Sequence, residues 1–254
     1  MRIAIITGAS SGMGRCFAQT VDRFGVYDEV WVIARRRERL EALALPYPKR
    51  VIPLDLTLPE SLTALGTLLA QEQPQVGLLV NAGGFGLFRP VLDSPAEENR
   101  SMVALNCQAL MGLCQLAAPY MPRGSQIINI ASMAALQPVP YIAVYGATKA
   151  FVLSFSRALG RELRSRGVAV LAVCPFWTQT EFFDRAVDES REAVVKRYAV
   201  MYQPEQIVAR AWRDAKRGRE VSIYGATARA QALLAKLLPH RLIMTLWQWQ
   251  QGLR

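Results

Sequence analysis

Histidine is nearly missing from this chain of 254 residues, and its absence removes several chemistries at once. The one histidine, His240, stands beside Pro239 near the C-terminus. A single imidazole leaves no partner to spare for a Ser-His-Asp site and rules out a multi-histidine metal site, so His240 reads as a surface or packing residue. Cysteine is also sparse. Cys16, Cys107, Cys114 and Cys174 show no CxxC or metal spacing and lie among apolar neighbours, which suits small buried side chains in a reducing compartment. No run of about 18 uncharged apolar residues is recognised, so no membrane-spanning helix is expected. Arg2 leads straight into the strand-like Ile3-Ala4-Ile5-Ile6, so no signal peptide is expected and a cytoplasmic location follows. The net charge is +10. Its arginines recur mostly at helical spacings, the pattern of solvated helix faces rather than of a nucleic-acid surface.

What is present is alternation. Candidate strands fall at 3–7, 29–34, 49–54, 76–81, 125–131, 168–174 and 221–224, and helical periodicity at 12–24, 59–72, 95–120, 144–166 and 204–217. Strands such as Leu78-Leu79-Val80 are continuously apolar, as strands covered on both faces must be. These features predict a doubly wound α/β fold of the Rossmann type with about seven parallel strands, one domain over 1–225 and an amphipathic helical extension over 226–254. Ligands of such sheets bind at the carboxyl ends of the strands.

The first strand runs into Gly8-Ala9-Ser10-Ser11-Gly12-Met13-Gly14, where a helical pattern begins. Glycines let a backbone turn tightly and approach a pyrophosphate, and a helix start offers it free N–H groups. The Gly-xxx-Gly-x-Gly spacing differs from the commoner Gly-x-Gly-xx-Gly, and a purely structural turn is the plain alternative. The second strand ends at Arg35, where enzymes using NAD carry an acid for the ribose hydroxyls. A guanidinium matches a 2′-phosphate in charge and forked shape, so NADP(H) is the expected cofactor. Otherwise Arg35, Arg36 and Arg37 form only a wet helix start.

Tyr145 and Lys149 stand one helical turn apart, on one face. A free phenol titrates about three units too high for proton exchange at neutral pH, a gap of about 4 kcal/mol. One cation about 4 Å away, at an effective dielectric near 20, supplies roughly that much. Ser132, 13 residues before Tyr145, offers a hydroxyl to hold a carbonyl oxygen beside the phenol.

With Thr7–Gly14, Asp55-Leu56, Asn81-Ala82-Gly83, Asn106, Ser132, Tyr145, Lys149 and Pro175 in this order, the chain resembles the short-chain dehydrogenase/reductase family over residues 1–224. The resemblance implies a catalytic tetrad of Asn106, Ser132, Tyr145 and Lys149. Asn106 holds a relay water through Lys149, which also binds the nicotinamide ribose. It places Asp55 and Leu56 at the adenine, Asn81, Ala82 and Gly83 on the adenosine side, and Pro175 and Thr180 at the nicotinamide. It implies a homodimer or homotetramer built on the helices starting near Pro95 and Val144. Phe176 departs from the family glycine after the proline, and Thr178 is the alternative carboxamide partner. For Phe176 and Trp177, apolar packing and a pocket wall remain open.

Phe85, Phe88, Met133, Phe182, Phe183, Tyr198 and Tyr202 suggest an apolar pocket under the segment 176–203, suited to a steroid, fatty acyl or other lipophilic carbonyl compound. The tail carries two apolar stripes, Leu233, Leu234, Leu237, Leu238 and then Leu242, Ile243, Leu246, Trp249. Packing over the pocket or a partner subunit is the preferred reading of these stripes, and a helix on a membrane surface is the other. Competing functions are a catalytically silent NADP(H)-sensing protein of the same fold, nucleic-acid binding through basic charge, and sugar-nucleotide epimerisation or dehydration.

Overall fold

A computed structural model of the chain describes residues 1–187, 194–198 and 200–253. Positions 188–193 and 199 of the expected substrate segment, and Arg254 of the expected tail, lie outside the described residues. Among the described residues, seven strands form one sheet: β1 (Arg2–Thr7), β2 (Glu29–Ala34), β3 (Lys49–Pro53), β4 (Gln75–Asn81), β5 (Gln126–Ile130), β6 (Ala169–Val173) and β7 (Val221–Ser222). Their order is β3-β2-β1-β4-β5-β6-β7, with every pair parallel. The chain therefore winds outward twice from β1, and the crevice between the carboxyl ends of β1 and β4 is the switch point where ligands of such sheets bind.

Alternation along each strand builds two cores. Ile3 and Ile5 of β1 face one side with Leu79 and Ile127, under α3 (Pro59–Glu72), α5 (Leu110–Ala117) and α6 (Ala143–Glu162). Ala4 and Ile6 face the other with Val80 and Ile128, under α1 (Gly12–Gln19), α2 (Arg37–Glu41) and α8 (Pro204–Lys216). Burying each such Ile or Leu contributes roughly 1.5–3 kcal/mol. Phe17 of α1 meets Trp212 of α8 edge-on at 4.9 Å.

Side chains set several boundaries differently from the periodicity. The first helix stops at Gln19, not Phe24: the Thr20 hydroxyl donates to Cys16 O at 2.7 Å, Thr20 leaves helical geometry, and a 3-10 turn follows. The helix expected over 95–120 is α4 (Ala96–Val103), a π turn (Ala104–Ala109), then α5. By length and composition this continuous Ala96–Tyr120 run could cross a membrane, contrary to the expectation that no segment qualifies. Half of its apolar window is buried, and it packs on α3, α6 and β4 as a core helix. The short helices α2 and α7 (Phe182–Ala186) carry no full apolar period and are absent from the sequence reading. The tail forms α9 (Ala226–Leu237) and α10 (His240–Gln251), with His240 exposed at the start of α10. All four cysteines are free and buried, as expected.

Candidate functional site

The turn after β1 is shaped by close backbone contact. Gly8 has φ +65, and a Cβ there would stand 2.7 Å from Ala82 O; a Cβ on Gly14 would collide with Gly8 O. Both glycines are therefore demanded by packing of the turn on itself and on the end of β4, the structural alternative raised for this motif. Gly12, with φ +51, differs: a Cβ there would meet the Thr180 side chain at 3.2 Å, across the opening of the crevice. Met13 lines that crevice, and the first N–H groups of α1 open onto it beyond Ser11, whose side chain makes no cap bond. Thr7 Oγ1 accepts from the N–H groups of Ala82 and Gly83, both at 3.1 Å, tying β1 to β4.

Some of the residues expected at the coenzyme also hold the fold together. The Asn81 side chain is buried and donates to Asn129 Oδ1 at 2.9 Å, and Asn129 donates to Ser156 Oγ at 2.9 Å. This ladder joins β4, β5 and α6 through Asn81 Nδ2, while Asn81 Oδ1 is buried with no protein partner among the described residues. Leu56 is likewise a core side chain. Ala82 lines the crevice. Asp55 accepts from the Thr57 backbone N–H and hydroxyl and lies 3.9 Å from Arg35.

Arg36, adjacent to the residue singled out from sequence, makes the forked contact. Its Nε and one terminal nitrogen donate to Ser10 Oγ at 3.3 and 3.1 Å. Glu181, from the segment after β6, accepts from Arg36 at 2.8 Å and from Arg39 at 2.6 Å. The hydrogen bond from Arg36, then that from Arg39, hold the Glu181 carboxyl below the usual carboxylate range against its partial desolvation. Glu181 thus pairs with two guanidiniums beside Ser10 and would have to yield them to any other anion at the end of β2. Arg185 adds another cation, 3.4 Å from the Phe85 ring centroid and close enough to Arg35 to feel it.

At the other end of the crevice α6 brings Tyr145 and Lys149 to one side, and Ser132 stands after β5. All three line a single cavity of about 450 Å3. Lys149 Nζ donates to Ile130 O at 2.8 Å and lies 5.8 Å from the Tyr145 ring centroid. The expectation that the ammonium draws the phenol towards neutrality is not met in this state. Burial pushes Tyr145 up to about 12, with the Ser132 side chain opposing, and burial pulls Lys149 down to about 8. Desolvation penalises whichever form is charged, and here it outweighs the mutual attraction expected at closer range.

Asn106 sits in the π turn. Its amide donates to Phe85 O at 2.9 Å and Thr148 Oγ1 at 3.0 Å, and its Oδ1 accepts from Phe85 N at 3.1 Å. The point where a Cβ on Gly84 would stand is 2.9 Å from Asn106 Oδ1 and 3.4 Å from Lys149 Nζ. That point is within hydrogen-bond reach of both groups and is kept clear by glycine. Gly84 is a site residue the sequence reading missed, although the doubled Gly83-Gly84 signals it.

Aromatic side chains wall the remainder. Phe88, Trp177, Phe182 and Phe183 line the cavity, with Phe182 5.4 Å and Phe88 6.2 Å from the Tyr145 ring. Phe176 and Met133 line it too, and Phe176 also packs on the sheet core. Tyr198 forms a second layer against Trp177 and Phe183, Tyr202 packs on Tyr224, and Phe85 faces Arg185, so these three expected lining residues stand behind the wall. Pro175 and both threonines reach the cavity; the Thr178 hydroxyl is engaged by Phe176 O at 2.8 Å, whereas Thr180 faces Gly12. The tail completes the enclosure. Leu234, Ala235, Ile243 and Trp247 line the cavity, Trp247 Nε1 donates to Pro140 O at 3.2 Å, and Gln251 grips the backbone of Lys196 and Arg197. No spacing in the sequence announces Trp247 or Gln251.

Comparison with known proteins places these features in company. A family model described as short chain dehydrogenase matches residues 2–191. The very-long-chain 3-oxoacyl-CoA reductase of Macaca fascicularis is 32% identical over 190 residues, spanning 70% of this chain and 60% of that protein. A short-chain dehydrogenase from Sphingobium yanoikuyae, solved in complex with NADPH, superposes with a TM-score of 0.78 at 30% identity, covering 96% of each chain. The bulky-bulky ketone specific alcohol dehydrogenase from Comamonas testosteroni gives 0.74 at 27% identity, covering 93% of this chain and 92% of that one.

Proposed function

Because the chain belongs to the short-chain dehydrogenase/reductase family, we propose that it is an NADP(H)-dependent oxidoreductase that interconverts a lipophilic ketone and its secondary alcohol, with Tyr145 as general acid and base. The convergence of Ser132, Tyr145 and Lys149 at one wall of an apolar cavity that reaches the glycine-rich turn carries this reading. A dinucleotide fits the residues present. Gly12 and the start of α1 leave backbone N–H groups at the crevice for the pyrophosphate, and Ser10 with Arg36 offers charged and neutral donors for a 2′-phosphate. Ala82, Pro175 and Thr180 line the same cavity, and we assign Arg35, Asp55 and Gly83 to the adenosine side of the coenzyme. The bound coenzyme supplies or accepts the hydride.

The protein's own groups handle the proton and the orientation. The Ser132 hydroxyl holds the substrate oxygen, and the Tyr145 phenol gives it a proton in reduction or takes one in oxidation. Burial disfavours charge on Tyr145 and on Lys149 separately, so phenolate and ammonium are best formed together, each compensating the other while Ile130 O steadies the ammonium. A water at the point left by Gly84 would connect Lys149 to Asn106 and replenish the proton. Phe88, Trp177, Phe182 and Phe183 favour a bulky apolar substrate, in keeping with the ketone and oxoacyl chemistry in the names of the similar proteins. We place contact between copies on α4 and α6, where Val103 is exposed and Phe151 stacks on Phe155 at 5.7 Å.

The test is NADPH oxidation, followed by absorbance, against a panel of aryl ketones, steroid ketones and 3-oxoacyl thioesters. At least one should turn over, and Tyr145→Phe should lower turnover at least about a thousandfold while NADPH still binds. Binding of NADPH with no single turnover on any ketone would favour the silent, coenzyme-sensing reading. Tighter binding of NADH than of NADPH would overturn the cofactor assignment.

A further inference from the structure

The tail helices have a buried side and an outer side, and the outer side is apolar. Six of the fourteen large apolar side chains exposed among the described residues fall between Leu233 and Trp249. Leu233, Leu234 and Leu237 share one face of α9, and Leu242, Leu246 and Trp249 share one face of α10. Leu237 is 67% and Trp249 79% exposed. Leu234 and Leu246 belong both to this surface and to the cavity lining, so the two helix faces meet at the cavity mouth.

We infer that this face of α9 and α10 docks on an anionic lipid bilayer, with the mouth of the cavity against the membrane. Charge selects that occupant. The chain carries no Asp or Glu from Val221 to its C-terminus, while Arg229, Lys236 and Arg241 are exposed on the same two helices. Arg229 lies one turn before Leu233, and long basic side chains can lay their stems along leucines and raise their heads to phosphate. A second copy seated by two-fold symmetry would bring these cations onto themselves with no acid in the segment to answer them. An exposed tryptophan beside leucines and flanked by cations is the composition of an interfacial helix, not of a spanning one.

The platform is fixed to the body of the protein. Ala235, Ile243 and Trp247 are buried, Trp247 donates to Pro140 O, and Gln251 ties α10 to Lys196 and Arg197. Docking therefore requires no release of the tail, and an apolar ligand dissolved in the bilayer would meet the cavity directly.

The experiment is flotation of the full-length protein with vesicles of mixed phosphatidylglycerol and phosphatidylcholine, and with phosphatidylcholine alone, at low and high salt. The mixed vesicles should carry the protein upward, with binding at least about tenfold weaker on phosphatidylcholine or in high salt. Leu237→Gln/Trp249→Gln should weaken binding about tenfold or more with unchanged NADPH affinity and melting temperature. Arg229→Gln/Arg241→Gln should remove mainly the salt-dependent part. The inference is overturned if the unaltered protein stays unbound to the anionic vesicles, or if the Leu237/Trp249 variant floats equally well. It is also overturned if that variant only dissociates a dimer, which would assign the face to a second copy. Flotation needs no turnover, so its failure leaves the proposed reaction untouched.

Discussion

The two ends of the crevice are built from opposite materials. At Ser10, Arg36, Arg39 and Glu181 the surface is charged and half exposed, and its parts come from strand ends and the turns after them. At Tyr145, Phe88, Trp177, Phe182 and Trp247 it is aromatic and closed, forming a third hydrophobic cluster separate from the two that sandwich the sheet. The charged end holds its members by ion pairs that water can screen, each worth about 1 kcal/mol or less. The aromatic end buries its ionisable groups among rings, and there desolvation moves a phenol and an amine in opposite directions. One crevice thus offers a wet grip for an anion and a dry compartment for proton transfer.

Gly84→Ala breaks the dry end most sharply. The added methyl would occupy the point between Asn106 Oδ1 and Lys149 Nζ, 2.9 Å from the former. We expect about a hundredfold loss of turnover with NADPH affinity nearly unchanged, measured by steady-state kinetics beside coenzyme titration. Equal loss in both would mean that the loop after β4 has simply shifted. Arg36→Ala breaks the wet end. Losing charge-assisted donors should weaken NADPH binding about tenfold or more and leave NADH binding unchanged. If both coenzymes weaken alike, Arg36 acts through Glu181 on the loop rather than on a phosphate.

The difference between the ends also explains what the sequence makes readable. The central strands are legible because continuous apolar runs must be covered on both faces, whereas the edge strands β3 and β7 are mixed or short, and β7 stops at Ser222 rather than Tyr224; the strand ends locate Ser10, Arg35 and Ser132 by position alone. Tyr145 and Lys149 were visible because a helix turns once in four residues. The aromatic wall comes from the loop after β4, from α7, and from α10, more than 150 residues apart along the chain, and no period links them. Asn81 is legible for its place in the motif, but its buried bond to Asn129 across to β5 is not, because no spacing links the two. The reversal at Tyr145 was hidden because a spacing gives proximity but not burial.

Lys149 sharpens the comparison through pH. An unfolded lysine keeps its proton to its ordinary value of 10.5, while the folded one loses it at about 8. Between those values the unfolded state binds more protons, so the contribution of Lys149 to stability rises with pH, by about 2 kcal/mol from pH 8 to 9.5. Below about 8 both states are protonated and the folded state bears the full cost of the buried ammonium. The buried cysteines pull the other way above about 9, since burial raises each of them, Cys107 and Cys174 beside Lys149 included. The measurement is therefore a difference: chemical denaturation of the unaltered protein and of Lys149→Met across this range. Their stabilities should diverge in favour of Lys149→Met as pH falls from 9.5 to 8; parallel curves would place the amine in water.

Gln251 tests whether the tail belongs to the dry end or merely rests on it. Its Oε1 accepts from Lys196 N at 2.8 Å and Arg197 N at 2.9 Å, and its Nε2 donates to Arg197 O at 3.0 Å, all from a side chain that is almost fully buried. Gln251→Ala would remove these three hydrogen bonds between α10 and the backbone of Lys196 and Arg197, a cost of about 1–3 kcal/mol. Because those groups lie beyond Tyr198, which backs Trp177 at 5.1 Å, the loosening should reach the substrate wall before it reaches Tyr145. KM for a bulky ketone should rise several-fold while kcat and NADPH affinity hold. A fall in kcat with KM unchanged would mean instead that α10 positions the phenol itself, through Trp247 and the Pro140 carbonyl.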